Sequence, residues 1–150
     1  MNDTWAPNEE EYEAIGKIAN SADDGPVLMI NINKYHASAG FPNGKPYTEW
    51  MKVLPKMVDE VGGKILWQVP SLGQPVGQQA ADKILGAWYP SHKAFLSLEE
   101  QPSAAQSFRL RGLCVSEALV HRCPEDFIPK SKSCGKAMEP LNWTARPEQH

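Results

Sequence analysis

No run of about 18 apolar residues occurs in the chain, so no membrane-spanning helix is expected. The opening MNDTWAPNEEEYE has neither a basic region nor an apolar stretch, and no signal peptide is expected from it. Cysteine is sparse. Cys114, Cys123 and Cys134 are odd in number and form no C-x-x-C pair, which argues against a disulfide framework and a zinc site and leaves free thiols. The four histidines show no H-x-x-E-H or H-x-x-x-H spacing, so no metal site is expected. Gly73 and Gly77 are followed by no Gly-Lys-Ser/Thr, which rules out a phosphate loop. These absences point to a cytoplasmic protein with no metal or organic cofactor.

A basic run is missing too. Residues 1–25 carry a charge of −6, residues 26–123 a charge of +3, and residues 124–150 none. A body at +3 without clustered cations is too weak a footprint for nucleic acid, where several phosphate contacts supply most of the affinity. With 150 residues, roughly 70% of the unfolded surface can be buried, so a core needs no staple. The 13 prolines are many for one compact unit, and Pro124, Pro129, Pro140 and Pro147 fall in the last 27 residues. The chain therefore divides into an acidic arm (1–25), a compact domain (26–123) and a Pro-rich tail (124–150). Leu141 and Trp143 make that tail a strap expected to wrap the body or a partner subunit.

Asn8 followed by Glu11 reads as a capping-box variant that starts a short helix near 8–19, with Tyr12, Ile15 and Ala19 on its docking face. Val27–Tyr35 reads as a strand whose even positions, Leu28, Ile30 and Ile32, are apolar, and whose odd positions include Asn31 and Asn33. The loop 36–45 precedes a helix from Pro46 to about Val61, in which Tyr47, Trp50, Leu54 and Val58 share a face and Pro55 is expected to interrupt. Strands follow at 64–69 and 83–89, joined by a Gly/Pro-rich connection. Ser91 caps the next helix, Pro102 divides it, Ser103 recaps a segment that Gly112 ends, and Val115–His121 is the last strand. The order β-α-β-β-α-β predicts an α+β fold, the ferredoxin-like arrangement: a four-stranded antiparallel sheet with both helices on one face.

Such a sheet leaves its other face open. Taking the aliphatic even positions of the first strand as core places Asn31 and Asn33 on the open side. Pairing two sheets face to face in a homodimer closes a barrel around a cavity, which Asn31, Asn33, Trp67 and Trp88 would line for a small-molecule ligand.

The segments VLMININKYH, Gly62-Gly63 to Trp67, YPSHKAF (Tyr89 to Phe95) and Arg109…Leu113…Ser116 resemble the domain-of-unknown-function family 1330, within the dimeric α/β-barrel superfamily. The resemblance covers about residues 26–122 and neither end. It implies the fold more firmly than a reaction, because superfamily relatives include cofactor-free monooxygenases, haem-degrading enzymes, isomerases, lyases and proteins with no demonstrated reaction. Haem-degrading relatives combine an Asn on the first strand, a Trp after the third and a later His. Asn31 or Asn33 and Trp88 could fill two roles, but ten residues beyond Trp88 stands Leu98, and His92 is too near. Trp88 also replaces an acidic residue that the resembled family tends to carry, which favours a flat or aromatic ligand.

The candidate residues carry a functional and a bland reading side by side. Asn31 and Asn33 offer donors to a carbonyl or oxyanion, or are buried amides satisfied by backbone. His92 is an acid/base group or a residue at a helix start, and Arg109 an anion anchor or a cation favoured near a helix end. Glu117 and His121, four apart on one strand face, could form an acid/base pair. Tyr35, His36 and Tyr47 flank the first loop, where a site mouth is expected, and Ser116 belongs to the resembled motif. Trp50 and Trp67 serve as pocket wall or core. The expectation is a homodimeric enzyme acting on a small oxygenated, aromatic or unsaturated metabolite without cofactor: a lyase, isomerase or oxygenase. Asn31, His92, Arg109 and His121 would carry the chemistry. A non-catalytic metabolite-binding or stress-associated barrel is the alternative, and haem degradation a third.

Overall fold

The computed structural model describes residues 6–125, so the expected strap with Leu141 and Trp143 lies outside the described residues. In order, the elements are α1 (Glu9–Ala19), β1 (Val27–Tyr35), a 3-10 turn (Ala37–Ala39), α2 (Lys45–Glu60), β2 (Lys64–Pro70) and β3 (Lys83–Tyr89). There follow α3 (His92–Leu96), a second 3-10 turn (Ser97–Glu100), α4 (Ala104–Cys114) and β4 (Val115–Pro124). The strands form one antiparallel sheet in the order β2-β3-β1-β4. From β1 onward this is the β-α-β-β-α-β arrangement, with its second helical stretch divided into α3 and α4 around Pro102.

Local chemistry accounts for most boundaries. The Asn8 side-chain oxygen accepts from the Glu11 backbone N–H at 3.1 Å, and Glu9, Glu10 and Glu11 sit at the positive end of α1. Pro46 lies in the first turn of α2, where its missing N–H is not needed. Pro55 does not interrupt α2 as expected; the helix continues past it to Glu60. Gly62, at φ 81°, supplies the left-handed residue after that helix, and a Cβ on Gly63 would lie 2.7 Å from the Trp88 carbonyl oxygen. Ser91 caps α3 by accepting from the Ala94 N–H at 3.0 Å. Ser103 does not cap α4 with its side chain. Its hydroxyl donates to Glu60 at 2.8 Å and its N–H at 3.1 Å, which fastens the start of α4 to the end of α2. Nor does Gly112 end α4, which runs on to Cys114; helical backbone suits glycine there, at a modest entropic cost.

The faces of the sheet are the reverse of the expectation. Val27, Met29 and Tyr35, the odd positions of β1, pack under the helices. One core cluster joins Ile15 of α1 with Val27, Met29, Val58, Leu85, Ala87 and Tyr89; the other joins Tyr35, Tyr47, Trp50, Val53, Leu110, Cys114 and Ala118. Trp50 and Val58 are among the fully buried side chains, each contributing roughly 1.5–3 kcal/mol. Leu28, Ile30 and Ile32 therefore point to the other face, which no helix of the described residues covers (the uncovered face), and Asn31 and Asn33 to the helix side. The physical reason is that β1 is apolar on both faces, so alternation alone could not select the side that the helices cover.

Candidate active site

Asn33 lies directly opposite Lys83 in the β1–β3 register, and both are buried on the helix side. Above them passes the first turn of α2. Tyr47 and Met51, one turn apart on that helix, present a hydroxyl and a thioether to the lysine amine at 2.7 and 3.0 Å. Gln68, exposed on edge strand β2, adds its side-chain carbonyl as a third acceptor. Asp82 precedes the lysine but turns away, its carboxylate accepting from the Tyr35 backbone N–H at 2.8 Å. Among the described residues no carboxylate lies within ion-pair distance of Lys83.

An ammonium buried without a counter-charge loses hydration that three neutral acceptors only partly replace. Burial accordingly lowers the Lys83 amine to about 8 from an ordinary value near 10.5. Beside it, burial pushes the Tyr47 phenol up, with the Cys114 thiol adding to the effect, so Tyr47 remains a proton donor through neutral pH. Tyr35 is raised further by burial and by Tyr47. Its ring contacts Phe41, Tyr47 and Trp50 at centroid distances of 5.1, 5.2 and 6.2 Å. Among the described residues the Trp50 indole N–H is buried without a hydrogen-bond partner, and the Tyr35 hydroxyl, buried beside Asn33 and Tyr47, has none of normal geometry; both are donors for an oxygen atom brought among these rings. The cluster thus combines an amine half neutral at about pH 8, a phenolic acid in contact with it, and unpaired donors in an aromatic wall.

Four expected site residues meet here: Asn33, Tyr35, Tyr47 and Trp50. Lys83, Gln68 and Met51 were not anticipated. A lysine at the start of a strand carries no motif; the signal that could have found it is its place on the alternation Lys83, Leu85, Ala87, Tyr89, which makes it a charge on a core face. Asn31 is on the helix side as well, but its amide donates to the Met29 carbonyl at 3.2 Å and is half-buried.

The remaining candidates lie elsewhere. On the uncovered face, Trp67, Gly86, Ile30 and His121 form one row across the sheet, flanked by Trp88–Leu28–Cys123 and by Val69–Ile84–Ile32–Leu119. The Trp67 indole lies against Gly86, where a Cβ would meet ring atoms at 2.6 and 2.7 Å. Glu117 faces the same side opposite Lys34, and His121 is exposed. Asn31 and Trp88 are on opposite faces, so one chain does not assemble the pair that a haem-degrading arrangement requires.

His92 is buried and tied into the scaffold. Its Nδ1 lies 3.1 Å from Asp24 and 3.2 Å from the Gly25 carbonyl, two acceptors that assign the proton to that nitrogen. Nε2 lies 3.5 Å from Arg122, whose guanidinium grips Glu11 of α1 at 2.6 and 3.0 Å. Burial alone would raise the Asp24 carboxyl, but the backbone N–H groups of His92 and Lys93 and the His92 ring outweigh it and hold it low. This chain fastens the N-terminal arm to α3 and β4. Arg109 is exposed on α4, His36 is exposed just after β1, and the Ser116 hydroxyl donates to the Lys34 carbonyl at 3.2 Å.

No protein-family model matches the chain, and no curated protein matches it. Among solved structures, methylated RPA0582 protein superposes with a TM-score of 0.65 at 23% identity, over 83% of this chain and 96% of that one. The fold is ferredoxin-like. A second structure of RPA0582, a protein of unknown function from Rhodopseudomonas palustris, gives 0.63 at 22% identity over 79% and 93%. A dabb family protein with a ferredoxin-like fold from Mesorhizobium loti gives 0.48 at 12% identity over 71% and 98%. At these identities the likeness is one of fold alone. Among the described residues no helix is long and apolar enough to cross a membrane, and no group of three or more His, Cys, Asp or Glu could hold a metal ion.

Proposed function

We propose that the protein is a homodimeric α/β-barrel enzyme that transfers protons on a small oxygenated metabolite, in an isomerase or lyase reaction, at the Lys83 cluster. The observation that carries this reading is the buried Lys83 amine, in contact with the Tyr47 hydroxyl and without a carboxylate partner among the described residues. A neutral amine can take a proton from carbon next to a carbonyl. Tyr47 and Tyr35 can donate to the carbonyl oxygen as negative charge develops there. Tyr35, Phe41, Tyr47 and Trp50 suit a flat, aromatic or unsaturated substrate. The chemistry draws on the chain's own amine and phenols and asks for no cofactor, and the amine–phenol pair favours it over oxygenation.

Two features support the dimer. The face that no described helix covers presents Ile30, Ile32, Trp67, Ile84 and Trp88, each partly exposed, as one apolar surface of the kind that association buries. The resemblance to family 1330 favours the same pairing.

The test is solvent exchange. In deuterated buffer at pH 8, a panel of small ketones, keto acids and unsaturated carbonyl compounds is followed by proton NMR for exchange next to the carbonyl. Wild type is expected to accelerate exchange for at least one compound, and Lys83→Met to lose that acceleration. Binding without exchange across the panel would leave the non-catalytic barrel as the better reading. A strictly monomeric protein at micromolar concentration would overturn the dimer.

A further inference from the structure

We infer that Lys83 is a nucleophilic lysine that forms an imine with small aldehydes or ketones, with Tyr47 as the acid that expels water. The inference rests on reading the Lys83 cluster as the ligand site and adds a covalent step to it.

Hydrogen-bond arithmetic around the amine is the first argument. A neutral amine has two N–H groups and one lone pair. The ammonium donates to Tyr47 at 2.7 Å, to Met51 at 3.0 Å and to Gln68; once it has lost a proton, Gln68 and Met51 remain acceptors for the two N–H groups, and the Tyr47 hydroxyl, which can donate as well as accept, can turn its proton to the lone pair. The lone pair of the neutral amine then lies beside the phenol in direct contact with it. Access is the second argument. Gln68 is exposed and Met51 half-buried, so the amine lies a single side chain beneath the surface where α2 passes over the β2 edge. Charge is the third. With no counter-ion among the described residues, conversion of the ammonium into a neutral imine removes the unfavourable buried cation.

The step balances without a further reactant. The lone pair of Nζ attacks the carbonyl carbon while the C=O π pair moves to oxygen, which takes the Tyr47 proton. The nitrogen returns one proton to the phenolate, giving a neutral carbinolamine. Tyr47 then protonates the hydroxyl group, which leaves as water while the nitrogen electrons form the C=N bond. The remaining N–H proton goes back to Tyr47. One carbonyl compound and one amine yield one imine and one water, and Tyr47 ends as it began.

Reductive trapping tests this. Wild-type protein is treated at pH 7 with limiting propanal or benzaldehyde and cyanoborohydride, and the alkylated lysines are located by peptide mass mapping. With its amine at about 8, Lys83 is neutral about 250 times more often at pH 7 than an ordinary lysine. Allowing for shielding, Lys83 is expected to be labelled at least ten-fold faster than exposed Lys17 and Lys45. Tyr47→Phe, shown folded by its near-ultraviolet circular dichroism, is expected to slow labelling at Lys83 ten-fold or more and leave Lys17 unchanged. Labelling that simply follows exposure, with Lys83 modified only in urea, would overturn the inference. If carbonyl-adjacent exchange persists while trapping fails, the imine falls and the proton-transfer reading stands; if both fail, both fall.

Discussion

Replacing Lys83 with Met leaves an unbranched apolar side chain one atom shorter and removes the buried charge together with its hydrogen bonds to Tyr47, Met51 and Gln68; the charge makes part of the effect on stability depend on pH in a calculable way. Between about pH 8 and 10.5 the unfolded chain holds a proton on Lys83 that the folded chain has lost, and stability rises with pH through that window. Below it both states are protonated, and above it both are neutral. From pH 7 to 9 the gain reaches about 1.4 kcal/mol for a full shift, and about 1 kcal/mol once solvent relaxation near exposed Gln68 is allowed for. Other groups oppose it at the upper end. Burial raises the Cys114 thiol, and Tyr35, Tyr47 and Tyr89 are raised too, so their contributions fall as the pH climbs past about 9 and 10. These groups are present in both proteins, and the difference between wild type and Lys83→Met isolates the lysine. Urea denaturation at half-unit steps from pH 7 to 9 should show wild type gaining about 1 kcal/mol on the variant, or about 3–5 °C in Tm. Parallel curves would mean that the amine is solvated in the folded protein, and the electrostatic argument for the site would fail with them.

Further consequences concern packing and assembly. Gly86→Ala would place a methyl group on the Trp67 indole and force the ring aside, which should shift tryptophan emission to longer wavelength and cost about 1 kcal/mol in urea denaturation. Gly63→Ala meets the Trp88 carbonyl, Val58 and Tyr89 together and should cost more, about 2–3 kcal/mol by the same measurement. Arg122→Ala removes the clamp on Glu11; the pair is partly exposed, so about 1 kcal/mol is expected, read out as faster tryptic cleavage after Lys17. Ile30→Asp at the centre of the uncovered face should shift the proposed dimer to monomer in analytical ultracentrifugation, and a wild type and variant of equal mass would refute a dimer built on this face.

The order of elements and most of their ends were legible because each rests on local chemistry: Asn8 and Ser91 as caps, Pro46 in a first turn, Gly62-Gly63 after α2. What sequence could not supply was the phase of β1. Leu28, Ile30 and Ile32 form the cleaner aliphatic stripe, yet Val27, Met29 and Tyr35 meet the helices, because α2 offers Tyr47 and Trp50 to a partner face that must also hold Asn33 and Lys83. One residue of phase exchanges the whole set of candidates. Trp67, Trp88, Glu117 and His121 share the uncovered face, while Asn33, Tyr35, Tyr47 and Trp50 converge under the helices. Lys83 was illegible for a related reason: a charge on a core-facing position reads as a polar residue of the other face until the register is known. That same mismatch is the strongest argument for function, since an apolar residue at position 83 would satisfy the fold without the desolvation penalty. If Lys83→Met proves at least as stable as wild type at pH 7 while carbonyl-adjacent exchange is lost, the buried amine is retained for chemistry. A variant that is less stable by several kcal/mol would instead make Lys83 a structural hydrogen-bond hub for Tyr47 and Gln68.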